Sequence, residues 1–80
     1  MSIKMRLDEL SPGQRGRIAA ISSCGALRQR MMEMGLVNGA EIAVVRLAPS
    51  GGSVEIFLKG YSLALRRAEA VNVFLEVDQI

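Results

Sequence analysis

Few side chains in this sequence carry chemistry, and their spacing excludes most reactions. The chain holds no histidine and a single cysteine, Cys24. Without histidine, the commonest general base and the commonest transition-metal ligand are both missing. Cys24 stands just before a helical stretch, where peptide dipoles favour a thiolate, but no His or second Cys is there to deprotonate or resolve it. Its expected role is that of a small packed thiol. The carboxylates Glu33, Glu41, Glu55 and Glu69 are far apart in sequence; only Asp8 with Glu9 and Glu76 with Asp78 are close. Neither zinc-type Cys/His spacing nor the Asp-rich loop of a calcium hand is present, so no cofactor and no dedicated metal ligand is expected, with weak Fe2+ binding by converging carboxylates left open. A Walker loop needs Gly, four residues, then Gly-Lys-Ser/Thr, an order that neither Gly51-Gly52 nor Lys59-Gly60 supplies. Neither catalysis nor nucleotide binding is expected.

What the chain has instead is arginine and methionine. Ten basic and eight acidic residues give a net charge of +2. Six arginines fall in three pairs: Arg15 with Arg17, Arg28 with Arg30, and Arg66 with Arg67. Arginine suits interfaces where a planar cation meets carboxylate or phosphate, although a solvated face with local ion pairs is the more ordinary source of such a pattern. Phe57, Tyr61 and Phe74 are the whole aromatic complement, too thin a stacking platform for nucleic acid, which is not an expected partner. Met31, Met32 and Met34 are more informative. On a helix, one face enters the core and leaves Met32 or its neighbours outside, and flexible thioethers fit adaptable protein-binding surfaces.

These residues must be positioned by a small fold. Eighty residues make one domain, residues 1–80, and a half-hydrophobic composition lets it pack without disulfide or metal staples. The lone thiol fits a reducing compartment, and charged Asp8 and Glu9 interrupt any secretory pattern at the N-terminus, so a cytoplasmic location is expected. The ten uncharged residues from Ile18 to Leu27 are half of what a membrane span requires, so no direct membrane insertion is expected.

Gly and Pro punctuate short apolar runs. A helical turn is expected over Leu7 to Leu10, and strands over Gly16 to Ile21, Glu41 to Ala48, Val54 to Lys59, Tyr61 to Arg66 and Val71 to Val77. A further short turn at Arg67 to Ala70 leads into the last of them. The helix runs from Ala26 to Met34, with Leu27, Met31 and Met34 on one face, Ser22 or Ser23 as candidate N-cap, and Gly35 as a left-handed closing residue that folds Leu36 back on Met31. The expected architecture is mainly β: a five-stranded SH3-like barrel with one short α-helix between the first and second strands. An OB-type barrel is the structural alternative.

The segment from Leu27 through Arg28, Gln29, Arg30, Met31, Met32, Glu33, Met34 and Gly35 to Leu36, followed by Asn38-Gly39-Ala40-Glu41-Ile42, resembles the signature of the FeoA family of bacterial ferrous-iron uptake. Leu7 to Gly13 resembles that family's opening, and Gly60 to Ala70 its late hairpin and turn. The departures are Val37-Asn38 where the family often has Thr-Pro, Glu33 where Asp is frequent, and Cys24, which is not a general family feature. The resemblance implies an SH3-like barrel without enzyme activity, acting as a cytosolic adaptor of FeoB, the membrane protein that couples a GTPase domain to ferrous-iron transport. It implies recruitment to the inner face of the membrane through that partner, and leaves homo-oligomers open. The partner-binding residues expected at the helix and its exit are Leu27, Arg28, Arg30, Met31, Met34 and Leu36, with Met31→Glu as the substitution that breaks the contact. In a subordinate form of this expectation, Arg28 or Arg30 stabilises phosphate charge during GTP hydrolysis. The alternative is a metal-ion-responsive SH3-like module related to the C-terminal domain of metal-dependent repressors, for whose DNA-binding domain 80 residues leave no room.

Overall fold

Alternation of apolar and polar side chains builds the sheet strand by strand. The structure, a computed structural model, describes residues 2–78. In chain order it comprises β1 (Ser2–Arg6), a 3₁₀ turn (Leu7–Glu9), β2 (Arg15–Ile21), α1 (Gly25–Glu33), β3 (Glu41–Leu47), β4 (Ser53–Leu58), β5 (Tyr61–Arg66), α2 (Arg67–Ala70) and β6 (Val73–Asp78). In β4, Val54, Ile56 and Leu58 are buried while Phe57 is exposed; in β6, Val73, Leu75 and Val77 are buried and Glu76 and Asp78 exposed. One residue of register slip would turn these sets outward, so the pattern pins the pairing.

Six strands form where the sequence pattern gave five, all antiparallel in the order β1-β6-β2-β3-β4-β5. The additional strand is β1, which pairs Ser2 with Asp78 through Arg6 with Phe74. Its signal is weak because it is an edge strand whose residues, Met5 apart, are all exposed, with Lys4 and Arg6 alternating against Ile3 and Met5. The fold is SH3-like: a single curled sheet wraps the core, with β1 and β5 at its two ends.

Local devices bend the sheet. Registers shift between Ile18 and Ala20 in β2 and between Val44 and Arg46 in β3. The second bulge turns Val45 outward, to 44% exposure, and re-aims the end of β3. At the β2–β6 crossing a Cβ on Gly16 would lie 2.8 Å from the Glu76 carbonyl oxygen, so only glycine permits this approach. The 3₁₀ turn buries Leu7, and Leu10 beyond it, at the core's end; the Arg6 amide donates to Glu9 Oε1 at 2.9 Å. Met31 and Leu36, from α1 and its exit, enter the same hydrophobic cluster as Ile18, Ile42, Ile56 and Leu75.

Candidate functional site

The connection from β2 to β3 carries α1, and its residues explain why it is helical and why it stays attached. Ala26 through Met31 are mostly strong helix formers. The N-cap is Cys24, which makes no side-chain capping bond. Ser22 and Ser23, the expected caps, are committed elsewhere: Ser22 Oγ donates to Asn72 Oδ1 at 3.4 Å and Ser23 Oγ to the Met31 sulfur at 3.7 Å. The C-terminus closes as the sequence indicates. Gly35 has φ +94°, its amide donates to the Met32 carbonyl at 3.0 Å, and the Leu36 amide donates to the Met31 carbonyl at 3.0 Å. That pair of bonds is the Schellman closure, which an L-residue at Gly35 would strain.

A helix this short is marginal in water and must be tethered. Met31 is its one fully buried residue; Leu27 and the flanking Met34 are half-buried against the core. Three polar ties add to this anchor. The Arg28 guanidinium donates to the Ile21 carbonyl at 3.0 Å. The Arg30 guanidinium meets Glu69 Oε2 at 2.7 Å. The Tyr61 hydroxyl donates to the Met34 carbonyl, satisfying an otherwise orphaned group at the helix end. Glu69 is the only buried charged residue among those described; its other oxygen accepts the Arg66 amide at 2.9 Å. One carboxylate therefore locks α1 to α2.

The six residues expected at a partner surface divide into different structural roles. Met31 and Leu36 are 0% exposed. They hold the helix down and present nothing to a partner, so Met31→Glu places a charge in the core instead of probing a contact. Arg28 and Arg30 are exposed; Arg30 is ion-paired with Glu69, and Arg28 donates to the Ile21 carbonyl. Leu27 and Met34 lie half-buried at the helix margin. The residue that stands out is Met32, 48% exposed, set with Gly25, Arg28, Gln29 and Glu33 around a shallow depression on the outer face of α1. Its outward position follows from helical periodicity, because Leu27, Met31 and Met34 take the opposite face.

Cys24 is exposed, and among the described residues no group of three or more Cys, Asp, Glu or His side chains converges as a metal site. No helix among the described residues is long and apolar enough to cross a membrane.

The FeoA domain model matches residues 5–77. The chain belongs to the FeoA family. The Fe(2+) transport protein A/Fe(2+) transporter FeoB fusion protein of Porphyromonas gingivalis is 37% identical over 73 residues, which cover 91% of this chain and 9% of that protein. This FeoA chain thus spans under a tenth of that curated relative. Among solved structures, the FeoA-like protein of Clostridium acetobutylicum superposes with a TM-score of 0.88 at 32% identity, covering 100% of this chain and 93% of that one. FeoA of Stenotrophomonas maltophilia, an SH3 domain protein solved in complex with zinc, superposes with a TM-score of 0.75 at 29% identity over 92% of this chain and 89% of its own.

Proposed function

We propose that this FeoA chain is a non-enzymatic cytosolic adaptor that docks on the cytosolic part of FeoB through the outer face of α1 and shifts the transporter's conformational balance. The fusion relative carries this reading: a stretch 37% identical to this chain shares one polypeptide with a FeoB. Covalent linkage holds two modules at roughly millimolar effective concentration, the arrangement expected of parts that act on one another. The contact centres on Met32, with Gln29 and Glu33 beside it and Leu27 and Met34 at its margin. An exposed, flexible thioether can repack against a partner surface as that surface changes shape. Arg28 and Arg30 act from within, by setting the angle of the helix: Arg30 is ion-paired with Glu69, while Arg28 is bonded to the Ile21 carbonyl and keeps its charge.

To shift a transporter's equilibrium, the adaptor must bind one state more tightly than the other. Titration of the chain into the FeoB cytosolic domain, with and without a GTP analogue, is expected to move the α1 amide resonances and to give unequal affinities. Equal affinities would remove the regulatory half of the reading, and unmoved α1 resonances would remove the docking face.

A further inference from the structure

The two ends of the sheet are not protected alike. At the β1 end, Lys4 in mid-strand and Arg6 at its close put charge along the edge, a usual device against pairing with a further strand. The β5 edge has no charge in mid-strand: Tyr61, Ser62, Leu63, Ala64 and Leu65 are uncharged, and only Arg66 closes it. Cations flank it instead, Lys59 before the strand and Arg66 and Arg67 at its end, and none of the three forms an ion pair among the described residues. The carboxylate across the ladder, Glu55 opposite Ala64, is paired with Arg46 at 3.1 Å, and Glu69 is paired with Arg30.

Backbone polarity along β5 follows from its turn. Lys59 and Gly60 both have positive φ, 51° and 89°, which makes Leu58-Lys59-Gly60-Tyr61 a tight two-residue hairpin. In such a hairpin Tyr61, Leu63 and Leu65 exchange bonds with β4, and the alternate residues turn their N–H and C=O groups off the sheet. The Arg67 amide donating back to Gly52 at 3.1 Å keeps this alternation. Glu69 takes the Arg66 amide, so among the described residues the outward N–H groups left free are those of Ser62 and Ala64, both exposed. On the outer face Ser62 sits opposite Phe57, which is 46% exposed. Small side chains at Ser62 and Ala64 leave that ring open to a neighbour arriving at the edge.

We infer that β5 is a strand-addition site for an extended acidic segment of a partner protein, paired through Ser62 and Ala64, with carboxylates reaching Lys59 at one end and Arg66 and Arg67 at the other. A second copy of this chain is the wrong occupant. Antiparallel pairing of two β5 strands brings Lys59 of one against Arg66 and Arg67 of the other, and parallel pairing stacks like on like. This site does not depend on docking through α1; its test uses a peptide, not FeoB.

The probe is a ten-residue peptide of alternating Val and Thr with two Glu at each end, and its control carries Lys in place of Glu. The Glu peptide is expected to slow hydrogen exchange at the Ser62 and Ala64 amides and to bind about tenfold more tightly than the Lys peptide at low salt. Ala64→Pro, which removes an outward donor only, is expected to abolish that protection while the circular dichroism spectrum is kept; the peptide comparison stands alone if the variant does not fold. Equal binding of the two peptides, absence of protection at either amide, or peptide-free protection that grows with protein concentration would overturn the assignment. So would an oligonucleotide that shifts Phe57 while the Glu peptide protects neither amide.

Discussion

Met31 and Met32 are neighbours in sequence with opposite tasks. Met31 is fully buried and Met32 half exposed. Truncation of Met31 to Ala is expected to cost about 2–4 kcal/mol of stability, measured by urea unfolding. Met32→Glu is expected to stay within about 0.5 kcal/mol of the parent. Glu69 is the second residue on which the site turns, because its two oxygens hold a side chain of α1 and the amide that opens α2. Glu69→Ala is expected to cost about 1–3 kcal/mol and to speed amide exchange throughout α1, since a mostly buried acceptor is lost along with a charged bond. The methionine cluster was legible in the sequence, and so was its two-faced character. The fold of Leu36 back on Met31 was legible too, from the glycine closure, whereas the family signature set Leu36 at a partner surface, since a signature names positions without saying which way each side chain points. What the pattern did not reveal was Arg30's partner, 39 residues away.

At the scale of elements, α1 is a helix whose ends are specified better than its middle is anchored. Its closure at Gly35 was readable because a left-handed residue followed by an apolar one has a distinctive chemistry. A Cβ there would also lie 3.3 Å from Leu58 Cδ2. Gly35→Ala is therefore expected to cost about 1–2 kcal/mol, with early loss of the α1 signal on thermal unfolding. Tyr61→Phe removes the tie to the Met34 carbonyl and is expected to loosen the last turn of α1 at a cost of about 1 kcal/mol, read from amide exchange at Gly35 and Leu36. The helix start was misread for a physical reason: serine is a good cap in isolation, but Ser22 and Ser23 find partners in the β6 approach and in Met31. The strand β1 was missed because an exposed edge needs no hydrophobic run, and its register is dictated by β6, more than sixty residues later.

For the whole molecule, the alternating strands and their turns were enough to indicate an SH3-like barrel, while the strand order was not, since β1 and β2 flank β6 through non-local pairing. The curled sheet acts as a rigid base. It buries the apolar faces of β2 to β6 and leaves one tethered helix and the β5 edge, uncharged from Tyr61 to Leu65, as the parts available to other molecules. Ion pairs contribute little to that base: Arg17–Glu41 and Arg46–Glu55 are exposed pairs worth at most about 1 kcal/mol each. Added salt is expected to leave the unfolding midpoint almost unchanged. The outer face of α1 is the proposed docking surface for FeoB. Calorimetric titration of the FeoB cytosolic domain with the parent chain and with folded Met32→Glu tests it most directly. Met32→Glu is expected to lose affinity by about tenfold or more; equal affinity of both proteins would exclude α1 as the docking face.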